Sequence, residues 1–296
     1  MIDRRIFPAL AIVLLLAAGI CGVILVRPVP AGSGTGGTEP GEASQAVDRD
    51  VIFQVGTFDA LLKSNFEGSY TAGNLTREGD LGIGTLDALD GELILLDGTV
   101  YDVKSDGIAY VVPADTTVPF ATVTYFEPDI TFTEPDAGNL SALTRDIGAK
   151  LPTENHFYAV KITGTFPKVT ARSVPRQEKP YPNLTAAVAN QSVFEFRNVT
   201  GTIVGFITPE YVQGINIPGY HLHFLTENRT RGGHLLDLTV RNATVELDTT
   251  SRFAMVLPEE GSFTTLRLGG DISADTAFVE QGGATTGPEG NGSGKA

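Results

Sequence analysis

Apolar residues recur at every second position over much of this chain, the period of a half-buried strand, and only briefly at helical spacing. Val51, Phe53 and Val55 alternate, and Phe58, Leu61 and Leu62 then take up helical spacing, so residues 48–64 read as a strand followed by a short helix. Three Asp-Gly pairs follow, at Asp90-Gly91, Asp97-Gly98 and Asp106-Gly107, each between apolar β-type runs. Asp-Gly supplies the left-handed backbone that a tight hairpin needs. Residues 81–85, 92–96, 99–103 and 108–112 are therefore predicted to form an antiparallel meander, to which 118–126 adds a strand. A brief helix is expected over 139–150, and strands over 157–165, 168–172, 192–209, 235–247 and 252–257. The pattern is that of an α+β fold, mostly antiparallel or mixed sheet with few short helices.

Within that pattern, Gly219-Tyr220-His221-Leu222-His223-Phe224 puts two of the chain's 4 histidines at i and i+2 of a strand. They share one face, with Leu222 and Phe224 on the other. A turn through Asn228-Arg229-Thr230-Arg231-Gly232-Gly233 returns the chain so that His234 completes a facial set. A His-X-His pair alone reads equally well as a solvated strand face. The third imidazole across a glycine turn shifts the reading to metal. Three neutral imidazoles with positions left open make a catalytic zinc-type site, because a structural site is usually closed by a fourth protein ligand. Tyr220 is expected to pack beside the metal, and His156, at a loop-to-strand junction, reads as a surface residue.

Composition narrows the chemistry. The formal charge is −14 over 296 residues, and no Lys/Arg run offers a phosphate-binding face, so no nucleic-acid partner is expected. The one cysteine, Cys21, lies in the N-terminal apolar run, which leaves the rest of the chain without a disulfide, thiolate ligand or cysteine nucleophile. Any metal there must be held by histidine and carboxylate. Residues 6–26 carry no charge, with Arg4 and Arg5 before them and Arg27 after. Residues 1–27 therefore read as a signal peptide or N-terminal membrane anchor, 28–47 as a Gly/Ser/Pro-rich linker, 48–286 as the catalytic domain, and 287–296 as a disordered tail. The expected location is outside the cell or at its surface, and Asn-X-Ser/Thr sequons such as Asn139, Asn183 and Asn228 agree weakly with export.

A metal held by histidines needs acid–base partners, for which carboxylates are the usual choice. Glu92 opens the apolar run after Asp90-Gly91, and from pattern alone it is either strand-edge solvation or a side chain aimed into a pocket. Arg172, in Thr170-Ala171-Arg172-Ser173, is similarly a solvated strand end or a carboxylate clamp. A wider pattern bears on both. Gly79-Asp80-Leu81-Gly82-Ile83-Gly84-Thr85, Leu89-Asp90-Gly91-Glu92-Leu93, Thr170 through Gln177, Gly201-Thr202-Ile203-Val204-Gly205-Phe206, Pro218 through Phe224, and Gly232-Gly233-His234 occur in order. Together, over roughly residues 51–280, the chain resembles the α-acetolactate decarboxylase family.

The resemblance implies an α+β fold of two interlocked sheet-containing lobes, with the metal site on the inner sheet face, as a homodimer. It implies one zinc ion per chain at His221, His223 and His234, catalytic roles for Glu92, Arg172 and Glu280, a pocket-lining Thr85, and no organic cofactor. The implied reaction is decarboxylation of 2-acetolactate to (R)-acetoin and CO2, with a glutamate delivering the proton. Two other classes stand beside it: an exported three-histidine zinc metallohydrolase, and a non-catalytic tethered binding domain.

Overall fold

The computed structural model describes residues 49–283. Its strands are β1 (Val51–Val55), β2 (Tyr70–Thr71), β3 (Leu81–Thr85), β4 (Glu92–Leu96), β5 (Thr99–Val103), β6 (Ala109–Val111), β7 (Thr117–Val118), β8 (Phe120–Thr124) and β9 (Ile130–Ala137). They continue as β10 (Phe157–Ser173), β11 (Ser192–Thr208), β12 (Gly219–Thr226), β13 (Gly232–Thr250) and β14 (Arg252–Val256). The helices are α1 (Phe58–Leu62), α2 (Ala72–Leu75), α3 (Leu140–Gly148), α4 (Leu184–Val188) and α5 (Ser273–Glu280). The predicted leader or anchor (1–27), linker (28–47) and tail (287–296) lie outside the described residues. Among the described residues no helix is long and apolar enough to cross a membrane.

The meander forms as its turns require. Asp97 and Gly98 both sit at positive φ, 50° and 73°, the paired left-handed residues of a tight hairpin whose twist matches its strands. The first sheet runs β14-β1-β8-β3-β4-β5-β6, antiparallel except where β14 lies parallel to β1. In the second, β10, β11, β12 and β13 close a ring, because β13 bonds to both β12 and β10, and β9 extends it along β13. The chain thus begins in one sheet, builds the other, and returns to the first, which interlocks the two lobes.

Alternation along the strands sorts their side chains. Tyr158, Phe166, Phe224 and Leu238 fill the ring. Ile83, Ile94 and Leu96 from the first sheet meet Val204, Phe206 and Leu225 from the second. Helices α1, α4 and α5 gather a further apolar cluster, with Phe58, Leu61, Leu184 and Val279 among its members.

Three features differ from the sequence reading. The two strands expected over 157–172 are one 17-residue strand, β10: Pro167 falls between the pairs Phe166–Val199 and Lys168–Arg197, where its missing N–H breaks no ladder bond. Strands β2 and β9 and helices α2, α4 and α5 had no prediction, their apolar patterns being short. Tyr220 does not pack beside the histidines. Alternation turns it to the opposite face, against the ring core, where its hydroxyl donates to Thr144 O at 2.8 Å.

Candidate metal centre and active site

The site lies where several rows of inter-sheet core residues end in polar ones. On β3 the row Leu81, Ile83 ends in Thr85, and on β4 the row Leu96, Ile94 begins in Glu92. On β12, His221 and His223 share the parity of Leu225, while Leu222 and Phe224 enter the ring core. Thr85 pairs directly with Glu92 in the β3–β4 register, and His223 pairs directly with His234 in the β12–β13 register.

His234 reaches this place through two local devices. The β10–β13 register shifts between Thr170 and Ala171, so that Arg172 pairs with His234 while Thr170 pairs with Asp237; such a bulge re-aims the side chains that follow it. Gly233 sits at φ +142°, and a Cβ there would lie 2.4 Å from the Arg172 carbonyl oxygen. Only glycine lets β13 pass this close to β10 while keeping its bonds to β12.

All three imidazoles are buried, with ring centroids 5.1, 5.1 and 5.3 Å apart. Each offers a nitrogen within 4.8 Å of the others. His223 Nδ1 lies 3.0 Å from the Leu93 carbonyl oxygen, which can only accept; the proton therefore sits on Nδ1 and Nε2 keeps its lone pair. His223 Nε2 and His234 Nδ1 are both buried without a hydrogen-bond partner. Burial, chiefly, holds His221 down to about 3 and the other two well below the ordinary histidine value, with the Arg172 charge acting in the same direction. Neutral imidazoles with buried, unpartnered nitrogens are the donor set a metal ion requires, and a backbone acceptor behind one ring is the usual second layer of support for such a ligand.

The other predicted residues surround the same point. Arg172 donates from Nη1 to Glu92 Oε1, and its Nη2 lies 3.5 Å from the Val279 carbonyl oxygen. Glu92 Oε2 is 3.6 Å from His223 Nε2, and Glu280 Oε2 is 3.7 Å from His234 Nε2. Thr85 donates its hydroxyl to the Gly91 carbonyl oxygen at 2.9 Å, tying down the turn that carries Glu92. Burial raises the Glu92 carboxyl against the opposing pull of Arg172. It raises Glu280 to about 8, with Arg172 opposing and the Glu92 charge adding to the shift. Thr85, Glu92, Arg172, His221 and Glu280 all line one cavity of about 40 Å³. His156, as expected, stands exposed and apart from them.

Sequence reasoning missed the Leu93 carbonyl behind His223, since a backbone acceptor leaves no residue signature. It also missed the apolar half of the cavity wall, because those residues read as ordinary core.

A family model described as alpha-acetolactate decarboxylase matches residues 52–269. An alpha-acetolactate decarboxylase of Methanosarcina mazei is 55% identical over 232 residues, covering 78% of this chain and 81% of the relative. One from Bacillus subtilis is 40% identical over 241 residues, covering 81% of this chain and 94% of the relative. The crystal structure of alpha-acetolactate decarboxylase from Bacillus subtilis strain 168 superposes with a TM-score of 0.75 at 39% identity, over 78% of this chain and 99% of that one.

Proposed function

The chain belongs to the alpha-acetolactate decarboxylase family, and on that premise we propose that it converts 2-acetolactate to (R)-acetoin and CO2 with one zinc ion held by His221, His223 and His234. The observation that carries the proposal is the convergence of His221, Glu92, Arg172 and the half-buried Glu280 on one small cavity, with the buried His223 and His234 clustered beside His221. Family membership sets aside the hydrolase and the binding domain.

The substrate carboxylate is β to a ketone, so cleavage of the C–C bond sends its electron pair toward the ketone oxygen, and no organic electron sink is needed. Zinc, when bound, supplies a Lewis acid that stabilises the negative charge developing there. Arg172 binds the departing carboxylate. Its guanidinium also holds Glu92, so the incoming carboxylate competes with Glu92 for it and is oriented by the same fork. Clamping the ground state alone gives no acceleration, so the gain lies in aligning the breaking bond with the ketone. A proton is then added at the carbon that lost CO2. Glu92 and Glu280 both line the cavity, and delivery from one of them to one face gives a single enantiomer.

The test is metal-dependent turnover by the purified, metal-stripped protein reloaded with zinc, on racemic acetolactate, with acetoin resolved by chiral chromatography. One enantiomer formed only with metal is the expected result. Bound zinc with acetoin at the spontaneous rate would refute it. From the sequence we also infer export, with the protein released or tethered through residues 1–27, and from the family resemblance a homodimer. Cell fractionation and sedimentation test these points.

A further inference from the structure

The polar groups account for only part of the cavity wall. The rest is mostly buried and apolar: Phe58 and Leu61 from α1, Phe120 from β8, Leu184 from α4, Ile217 before β12, Val279 from α5, and Leu89 and Val174 beside the turn that carries Glu92. Three of the four substituents on the carbinol carbon of acetolactate have polar business. The carboxylate goes to Arg172, and the hydroxyl and the ketone turn to the imidazole side. The fourth, a methyl group, is left to face away from that polar half, into the apolar wall. These residues are close-packed members of one apolar cluster, so a longer alkyl chain must displace one of them.

Six of the eight apolar wall residues are tied to the polar machinery; Leu89 and Val174 both offer their carbonyls to the Gly91 N–H, in the turn that carries Glu92. Phe120 pairs with Thr85, Phe58 packs on Phe120 with ring centroids 6.1 Å apart, Val279 offers its carbonyl to Arg172, and the Ile217 carbonyl receives the Thr208 hydroxyl in the loop that leads into the histidine strand. Leu61 and Leu184 stand on short helices that carry none of the polar site residues. We propose that Leu61 and Leu184 set the length of the alkyl group that the enzyme accepts on the carbinol carbon of its 2-hydroxy-3-oxo acid substrate. This rests on the decarboxylase reading of the site.

The test compares kcat/KM on a series of 2-alkyl-2-hydroxy-3-oxobutanoates (methyl, ethyl, propyl) for the zinc-loaded full chain and for the Leu61→Ala and Leu184→Ala variants. One methylene in an apolar pocket is worth roughly 10–200-fold in discrimination. The expected result is a shift of at least about 10-fold in the propyl-to-methyl ratio toward propyl, with acetoin from the methyl substrate still formed. Leu61→Val and Leu184→Val, which remove less of the core, are expected to shift the ratio in the same direction by less, and they keep the test decisive if an alanine variant does not fold. Leu61→Phe is expected to move the ratio the opposite way. Active, folded variants with the wild-type ratio would overturn the wall assignment and leave the decarboxylase standing. A wild-type protein that makes no acetoin would overturn both.

Discussion

Gly233→Ala is the smallest change that tests how the metal centre is built. The added methyl meets the Arg172 carbonyl oxygen at 2.4 Å, a backbone atom, and the residue must hold φ +142°. An L-residue in this glycine-only region costs about 1–3 kcal/mol, and overpacking a methyl into a filled space costs about 1–3 kcal/mol more. The total of about 2–6 kcal/mol is a large share of a total stability of about 5–15 kcal/mol. At about 2–4 °C per kcal/mol for a domain of this size, the melting temperature should fall by roughly 5–20 °C. The strain is relieved by parting β13 from β10, which draws His234 away from both His223 and Arg172, so metal affinity should fall by about 10–100-fold, the range seen when support behind a ligand is lost. The assay is calorimetry with and without zinc, together with a zinc titration. Gly98→Ala is the control. Its φ is +73° but nothing lies within 4 Å of the new Cβ, so it should show the conformational penalty alone and wild-type zinc affinity. A Gly233→Ala protein that melts and binds zinc as the wild type does would refute the idea that close passage of β13 between its neighbours creates the site.

Three further outcomes are expected. Glu92→Gln should lose at least about 100-fold in turnover, the scale of a general acid–base contribution, and wild-type turnover would remove Glu92 from the chemistry. Asp102 is raised to about 7, chiefly by burial, with Lys104 opposing the shift. An acid whose folded value exceeds its unfolded one binds its proton more tightly when folded, so stability falls as pH rises from about 4 to about 7 and the penalty is full above that; Asp102→Asn should therefore raise the denaturant midpoint at pH 8 and not at pH 4, and equal shifts at both would contradict the assignment. His156→Ala should leave zinc stoichiometry and turnover unchanged, as measured by metal analysis beside the activity assay, because that ring is exposed and away from the cluster.

The parts of this protein legible in its sequence are those whose geometry is local. A strand puts i and i+2 on one face whatever surrounds it, so His221 and His223 could be paired before any fold was known. The Asp-Gly turns placed β3 through β6 for the same reason. What escaped depends on distant partners. The bulge that brings Arg172 opposite His234 belongs to two strands at once, and the parallel seating of β14 on β1 has no signature in either. Helix α5 has no side-chain N-cap, so nothing announced the element that delivers Glu280. Motifs also carry double meanings: Asn139 and Asn183, read as sequons, use their side chains to cap α3 and α4 by accepting the Ala142 and Ala186 N–H groups. Glu92 and Arg172 were ambiguous from the local pattern; only the family resemblance gave them roles, and the structure sets them face to face.

The parallel seating of β14 on β1 also fixes when the enzyme can come into being. Val51 pairs with Arg252, partners roughly 200 residues apart, and contacts of such long separation are slow to close. At a synthesis rate of about 5–20 residues per second, β1, already able to pair with β8, waits about ten seconds or more before β14 emerges on its other edge. Glu280 emerges later still, so a nascent chain holds its histidines and Arg172 well before it holds the full acid set. On the roles proposed, a message cut short before α5 would yield a chain with its three histidines and Arg172 but without Glu280.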